Sequence, residues 1–156
     1  MVKLLVMDVD GTLTDGKIYM SNNGELMKAF NIKDGYALVH IREHNIVPII
    51  ITGRTSDIVK KRCLELGIED LYQGITDKVQ KLCEVCEQFG ANLSEVAYIG
   101  DDVNDLSCMQ LCGYTACPAD AIKKVRDSVD YVCEEKGGDG AVREFIDYII
   151  SECLDK

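Results

Sequence analysis

The sequence predicts an α/β fold in three layers: a doubly wound, mostly parallel sheet with helices on both faces. Short apolar segments rich in β-branched residues alternate along the chain with segments of helical periodicity, which is typical of βαβ units. Polar clusters follow several predicted strands, at the sheet edge where parallel sheets bind ligands. The length of 156 residues suits one compact unit, so we expect residues 1–156 to form a single domain.

The first third of the chain predicts a strand, a hairpin and a helix. The apolar run at residues 3–7 ends in an acidic, glycine-containing turn and predicts a buried strand. Asn-Asn-Gly at residues 22–24 separates two extended segments and favours positive φ, so we expect a β-hairpin flap over about residues 15–31. The periodicity of residues 34–44 predicts the helix that follows the flap.

The remainder of the chain predicts five more strands and five more helices. A β-branched run at residues 46–51 predicts a strand in the middle of the sheet or close to its edge. Thr76 or Asp77 can cap the start of one helix, and Gly67 can end another. The other strands are expected at residues 70–72, 96–99, 114–117 and 129–133, and the helices at residues 55–66, 77–89, 103–111, 120–126 and 142–153.

The charge balance argues against several kinds of partner. Lys and Arg number 17 and Asp and Glu number 27, so the formal net charge is −10. Nucleic acids and anionic membranes attract basic surfaces, so neither is expected as a partner. The N-terminal apolar run is too short for a signal peptide or a membrane span, and no later segment has about 18 uninterrupted apolar residues. We therefore expect a cytoplasmic protein.

The eight cysteines leave two interpretations open. With no sign of export, they are expected to be thiols rather than disulfides. Cys83 and Cys86 form a CxxC pair, but they fall on one helical stripe with Leu82, which favours core-facing side chains over a metal or redox site. His40 and His44, four residues apart on a predicted helix, offer a less favoured surface metal site.

The motif DVDGT places Asp8 and Asp10 directly after the first predicted strand. Two carboxylates this close repel each other unless a cation neutralises them, and Mg²⁺ prefers such oxygen ligands together with phosphate. An acidic turn with no chemistry is the alternative. Further polar residues at strand and helix ends count against that alternative; they are Thr52, Lys78, Asp101, Asp102 and Asp105.

The order DVDGT, ITGR, a DK lysine and GDDVND resembles the haloacid dehalogenase superfamily of phosphotransferases over essentially the whole chain. The resemblance implies that Asp8 is a nucleophile that forms an aspartyl-phosphate intermediate, and that Asp10 is the acid and base. It implies that Thr52 and Lys78 stabilise the transferring phosphoryl group. It also implies that the sheet is of the Rossmann-like, haloacid dehalogenase-like type.

The same resemblance implies that Mg²⁺ is the cofactor. The Asp8 carboxylate, the Asp10 backbone carbonyl and Asp101 would hold the ion, with Asp102 as a further ligand. Asp105 would orient these groups rather than bind the metal itself.

Other segments resemble the capless subgroup that dephosphorylates 3-deoxy-2-ulosonate sugars, including FNIKDG at residues 30–35 and GGDGAVRE at residues 137–144. This implies hydrolysis of 3-deoxy-D-manno-octulosonate 8-phosphate, within lipopolysaccharide biosynthesis. The alternatives are nonulosonate 9-phosphates or a broad range of phosphate esters, and Arg54, which follows Thr-Gly, favours the octulosonate. An arginine pairs with a carboxylate through two hydrogen bonds, which suits a 2-ulosonic acid. The implied substrate contacts are Asp10, Asn31, Ile32, Lys33, Asp34, Gly35, Arg54, Arg62, Lys78 and Arg143.

The spacing between the motifs leaves no room for a cap domain. Only a hairpin and a helix fit between Asp10 and Thr52, and only a helix and a short strand fit between Thr52 and Lys78. We therefore expect an open site. In the resembling subgroup a homotetramer closes the site, so we expect a neighbour to complete it here, with Arg143 and residues 137–140 as candidates.

Two functions of other classes remain as alternatives. A signalling receiver domain has a similar length and also uses acidic strand ends, a threonine and a lysine. However, a receiver carries its acidic pair after the first strand and its acceptor aspartate after the third, and it has no DxD motif. Here the DxD motif comes first and the acidic pair, Asp101 and Asp102, comes late. The second alternative is a catalytically inactive partner of a nucleotide-sugar synthetase. It is disfavoured because every catalytic position is filled in this sequence. Turnover of a phosphate ester would exclude the receiver.

Overall fold

The computed structural model describes residues 1–154, with side chains up to residue 152. Within this range the strands are β1 (Leu4–Met7), β2 (Tyr19–Ser21), β3 (Gly24–Met27), β4 (Val47–Ile51), β5 (Asp70–Tyr72), β6 (Val96–Ile99), β7 (Tyr114–Cys117) and β8 (Tyr131–Val132). The α-helices are α1 (Ile32–His40), α2 (Asp57–Leu66), α3 (Lys78–Phe89), α4 (Val103–Met109), α5 (Lys123–Arg126) and α6 (Ala141–Leu154). Short 3₁₀ turns occupy Ile41–His44 and Leu93–Glu95.

Six parallel strands form the central sheet, in the spatial order β5-β4-β1-β6-β7-β8. The chain winds outward from β1 to β5, then returns to the other side of β1 and winds outward again to β8. The direction of winding therefore reverses between β1 and β6, where ligands bind in sheets of this kind. The predicted doubly wound, parallel α/β fold is confirmed.

The sheet has a separate hydrophobic core on each face, because successive side chains of a strand point in opposite directions. Leu5 and Met7 of β1 pack into the core formed with α1, α2 and α6. Leu4 and Val6 pack into the core formed with α3, α4 and α5. This alternation confirms the predicted three layers, and it explains why β1 reads as an unbroken apolar run.

The hairpin is a separate two-stranded antiparallel sheet between β1 and α1. Gly24 begins β3 with φ of +107°, which accounts for the glycine in the predicted turn. Within residues 1–154, this hairpin is the only strand pair outside the main sheet, so the predicted absence of a cap domain is confirmed. Its exposed side chains include Ile18, Met20, Leu26 and Met27.

Several element boundaries differ from the prediction. Helix α1 begins at Ile32, two residues early, because the side chain of Asn31 accepts hydrogen bonds from the backbone of Lys33 and Asp34. Strand β8 is only two residues long, and α5 only four. Through residue 154, no helix combines the length and the apolarity needed to cross a bilayer.

The prediction that Cys83 faces the core is wrong. Leu82, Val85 and Cys86 form the buried stripe of α3, spaced by three and four residues, and Cys83 lies beside that stripe and is exposed. Cys86 is buried, as predicted. The predicted inward position of the Cys153 side chain lies outside the described residues.

Candidate active site

A cleft of about 150 Å³ opens where β1, β4 and β6 end. The structure thus brings together predicted residues that are far apart in the chain. The lining residues are Asp8, Asp10, Thr52, Gly53, Arg54, Asp101, Asp102 and Asn104.

Asp8 and Lys78 form a buried ion pair at the base of the cleft. Asp8 is the first residue after β1, and 6% of it is exposed. Lys78 is the first residue of α3, whose N-terminus is capped by the Asp77 side chain. Lys78 Nζ lies 3.0 Å from Asp8 Oδ1 and 2.9 Å from Asp105 Oδ1. The lysine therefore joins the predicted nucleophile to the acidic group after β6.

Asp105 is fully buried and held by several donors. Its Oδ1 accepts hydrogen bonds from Lys78 Nζ and, at 2.9 Å, from the Tyr98 hydroxyl. Its Oδ2 accepts from the backbone N–H of Asp101 at 3.2 Å. Both oxygens of this carboxylate are therefore engaged by neighbouring donors, and its orienting role stays a prediction.

The carboxylates of Asp8, Asp101 and Asp105 present oxygens that all lie within 4.8 Å of one another. Burial, together with the charges of Asp8, Asp105 and Asp102, raises the pKa of Asp101 to about 8. Burial and the charge of Asp105 also raise the pKa of Asp8, in spite of Lys78. The cluster therefore has more negative charge than Lys78 neutralises, and its oxygen donors fit Mg²⁺. Because Asp105 is engaged elsewhere, Asp8 and Asp101 are the carboxylates available to the ion.

Asp102 lies at the rim of the cleft and outside this carboxylate cluster. Its Oδ1 accepts a hydrogen bond of 2.7 Å from the backbone of Val103 and caps helix α4. Its role as a metal ligand stays a prediction.

Glycines allow the turn after β1 to pack tightly. Gly11 has φ of +88°, and a Cβ there would lie 2.0 Å from Asp101 Oδ2. A Cβ on Gly137 would lie 2.0 Å from the carbonyl oxygen of Gly11. The N–H of Gly138 donates a hydrogen bond of 3.2 Å to the carbonyl of Thr12. The glycine loop at residues 137–140 thus packs against the turn that follows β1 in its own chain.

Thr52 and Arg54 approach the cleft from the end of β4. Thr52 is buried, and its backbone N–H donates to the carbonyl of Tyr72 in β5. The Arg54 side chain is 46% exposed, and its Nε lies 3.9 Å from Asp10 Oδ2. An exposed guanidinium beside the predicted acid and base can contact an anionic substrate.

Sequence reasoning missed Lys28, the residue after β3. Its Nζ donates a hydrogen bond to Asp10 Oδ1 and lies 3.0 Å from Glu25 Oε2. Burial alone would lower the pKa of Lys28, but these two carboxylates raise it above its ordinary value. The contact with Asp10 crosses from the hairpin to the turn after β1, so no local pattern in the sequence could have signalled it.

Other predicted substrate residues line a second cavity, apart from the Asp8 cleft. Asn31, Asp34, Gly35 and Arg62 border an apolar space of about 10 Å³, which has room for one water at most. Arg62 Nη1 pairs with Glu65 Oε2 at 3.0 Å, and its guanidinium lies 5.6 Å from the centre of the Phe30 ring. These four predicted contacts therefore lie apart from Asp10 and Arg54, which line the Asp8 cleft.

The remaining predicted contacts lie near the outer surface of α1 and α6. Ile32 is 84% exposed, and Lys33 is exposed as well. The Arg143 side chain pairs with Asp147 at 2.8 Å, while its backbone N–H donates to Asp34 Oδ1 at 2.8 Å. None of these three side chains lines the Asp8 cleft among the residues that the structure describes.

Comparisons with known proteins agree on one family. The family of haloacid dehalogenase-like hydrolases matches residues 64–146. The chain is 44% identical over 149 residues to the 3-deoxy-D-manno-octulosonate 8-phosphate phosphatase of Salmonella typhi, which covers 96% of this chain and 79% of the relative. It resembles the crystal structure of the Yersinia pestis phosphatase of the same name, with 42% identity, a TM-score of 0.93, and coverage of 96% and 81% of the two chains. It also resembles the Moraxella catarrhalis phosphatase of that name, solved with magnesium, phosphate and the octulosonate, with 39% identity, a TM-score of 0.92, and coverage of 96% and 86%.

Proposed function

The chain belongs to the haloacid dehalogenase-like hydrolases, and we propose that it hydrolyses 3-deoxy-D-manno-octulosonate 8-phosphate to the free sugar and phosphate. The observation that carries this proposal is the buried Asp8 carboxylate, held by Lys78 and facing Asp101 in an open cleft. Relatives named for this reaction, at 43 to 44% identity over 96% of the chain, support the choice of substrate.

In the first step, an oxygen of Asp8 attacks the phosphorus and forms a new phosphorus–oxygen bond. The bond from phosphorus to the C8 oxygen of the sugar breaks, and Asp10 gives its proton to that oxygen as the alcohol leaves. The product is an aspartyl phosphate on Asp8. Lys78 keeps the Asp8 carboxylate oriented through its contact with Oδ1.

In the second step, a water molecule attacks the phosphorus of the aspartyl phosphate. Asp10, which is now a carboxylate, takes a proton from that water, so the same residue serves first as acid and then as base. The bond between phosphorus and Asp8 breaks, which releases inorganic phosphate and restores the nucleophile. No other reactant is needed.

Positive charge and hydrogen-bond donors stabilise the phosphoryl group in both steps. The Lys78 ammonium lies beside Asp8, and Thr52 lines the same cleft. Mg²⁺, held by Asp8, Asp101 and the backbone carbonyl of Asp10, supplies charge that offsets the negative charge of the phosphate. Asp102 is a further proposed ligand at the rim.

Recognition of the sugar extends beyond this cleft. A volume of about 150 Å³ is below the usual range of small-molecule sites, so it suits the phosphoryl end of the substrate better than the whole sugar. We assign Arg54 to the substrate side of the cleft. We further propose that a neighbouring chain in a homotetramer completes the site. The exposed apolar side chains of the hairpin support this proposal, because they offer a surface for contact with a neighbour. Arg143 is then a candidate for contact with the substrate site of a neighbouring chain. We also propose that the enzyme acts in the cytoplasm.

A panel of substrates tests the proposed function. Purified protein with Mg²⁺ is assayed for phosphate release from octulosonate 8-phosphate, nonulosonate 9-phosphates and hexose phosphates. We expect kcat/KM to be highest for the octulosonate, by at least about tenfold, because site contacts made in the transition state decide specificity. A higher value for a nonulosonate would favour the alternative substrate, and similar values for all would indicate a broad-range phosphatase. Absence of turnover on every ester would contradict the proposal.

The receiver-like alternative has no support in the structure. A receiver does not need an acid and base two residues after the phosphorylated aspartate, whereas Asp10 lies in the cleft beside Asp8. Membership in a hydrolase family also contradicts it.

A further inference from the structure

Lys28 is a buried cation in contact with the site that the mechanism above does not use. Only 1% of its side chain is exposed, although it follows a strand of an otherwise exposed hairpin. Its ammonium group bridges two carboxylates, Asp10 Oδ1 and Glu25 Oε2. A buried lysine is costly unless it is paired and hydrogen-bonded, so this arrangement holds Asp10 and the hairpin together.

A second layer of contacts fixes the lysine in place. Glu25 accepts a hydrogen bond from the Ser56 hydroxyl, and Arg54 Nη2 lies 3.7 Å from its other oxygen. The backbone N–H of Ser56 donates to Gln73 Oε1 at 2.8 Å. Ser56 also caps helix α2. The lysine is therefore anchored to the main sheet layer and not only to the hairpin.

These contacts treat the two oxygens of Asp10 differently. Oδ1 is engaged by Lys28 in a partly buried contact, whereas Oδ2 lies on the side of Arg54, which lines the cleft. We propose that Lys28 is a positioning residue that holds Asp10 Oδ1 and thereby presents Oδ2 to the leaving oxygen of the substrate. This assignment rests on the proposed function, in which Asp10 protonates the departing alcohol and then takes a proton from water.

A purely structural role for Lys28 predicts a different outcome. If the lysine only fastened the hairpin, its loss would impair recognition of the sugar and would slow benzyl phosphate and 4-nitrophenyl phosphate, which carry no sugar, to the same degree. If it positions the proton donor, its loss slows esters whose leaving group must be protonated and spares those whose leaving group departs as an anion. The chemistry of the leaving group therefore separates the two roles.

The test compares Lys28→Met with Lys28→Arg and with the control Lys60→Met, which removes an exposed lysine of α2. Substrates are octulosonate 8-phosphate and benzyl phosphate, which release poor alcohol leaving groups, and 4-nitrophenyl phosphate, which releases a stable phenolate. The measured quantity is kcat/KM, because it reports steps up to formation of the aspartyl phosphate. For Lys28→Met we expect a loss of at least about tenfold on both alcohol esters and of less than about threefold on 4-nitrophenyl phosphate. Lys28→Arg should recover most of the loss, and Lys60→Met should match the wild type.

Equal losses on all three substrates, a loss confined to octulosonate 8-phosphate, or no loss on any substrate would overturn the assignment. The sedimentation behaviour and melting temperature of each variant are measured alongside, so that a change in assembly or folding is not mistaken for the effect. If Lys28→Met does not fold, Glu25→Gln loosens the same anchor and should show the same selective loss at smaller size. A wild type inactive on every ester would remove the proposed function as well, whereas an active wild type with a non-selective Lys28→Met removes this assignment alone.

Discussion

The Asp8 cleft and the pocket beside Arg62 differ in how completely a single chain forms a binding site there. The cleft is open, and it gathers carboxylates, a buried lysine and a threonine around a space of about 150 Å³. The pocket beside Arg62 has polar residues at its border too, but its interior is apolar and leaves only about 10 Å³. Its arginine is already paired with Glu65 and stacked on Phe30.

This difference indicates that phosphoryl chemistry and sugar recognition are built separately. Groups that must react are held by buried contacts within the chain, as in the pair of Lys78 with Asp8. Most of the groups expected to contact the sugar lie on α1, α2 and α6, outside the cleft, and Ile32 and Lys33 among them are exposed. The phosphoryl chemistry should therefore survive changes that abolish recognition of the sugar.

The largest effect is expected from Asp8→Asn, which keeps the size of the side chain and removes the nucleophile. Turnover should fall at least about a thousandfold on every ester, because no aspartyl phosphate can form. Asp10→Asn should come close to the same loss on the sugar phosphate. Initial rates are compared with those of Asp127→Asn, an exposed aspartate of similar change in charge. Circular dichroism should show the wild-type fold in all three, and near-wild-type turnover in Asp8→Asn would refute covalent catalysis.

An intermediate effect is expected from disrupting assembly through the hairpin. Leu26 is exposed on β3, and Leu26→Lys should oppose burial of the hairpin against a neighbour. We expect smaller particles by analytical ultracentrifugation and a loss of about tenfold or more in kcat/KM on the sugar phosphate. Hydrolysis of 4-nitrophenyl phosphate should change less than about threefold. Leu64→Lys, on the exposed side of α2, is the matched control. A stable monomer with full activity on the sugar phosphate would show that the recognition site is complete within one chain.

The smallest effect concerns stability and is expected from Asp34→Asn. Asp34 is 2% exposed, and its Oδ2 has no hydrogen-bond partner among the described residues. Burial raises its pKa from 3.8 to about 6, although the N–H of Arg143 favours the ionised form. The folded state thus binds the proton more tightly than the unfolded state, so this carboxyl makes stability fall as pH rises from about 4 to about 6.

Asparagine at this position cannot ionise and should remove that dependence. The difference in unfolding free energy between variant and wild type should shift by about 2.5 kcal/mol in favour of the variant between pH 4 and pH 8. Chemical denaturation at both pH values measures the shift. A difference that does not change with pH would show that Asp34 is not held in its protonated form by burial.

The sheet and its strand-end clusters could be predicted because each depends on local patterns. An apolar run such as Leu4–Met7 predicts a buried strand. Because parallel strands end at the same edge of a sheet, the polar clusters that follow them are expected there. The predictions were weaker where a boundary depends on a single contact. The side chain of Asn31 caps α1, so the helix begins earlier than its apolar periodicity predicts. Periodicity also assigns Cys83 to the buried stripe of α3, but Cys83 lies just outside that stripe.

The sequence by itself determined the α/β class, the order of the chemical motifs and the shortness that excludes a cap domain, because these follow from composition, periodicity and spacing along one chain. Only the tertiary structure decided which charges meet. Lys78 reaches Asp8 across 70 residues and Lys28 reaches Asp10 across 18, and both contacts depend on how separate elements pack. The division of the predicted substrate residues among an open cleft, a small apolar pocket and the outer surface of α1 and α6 has the same origin. Packing sets the distance between two residues in the folded chain, and spacing along the sequence does not record it.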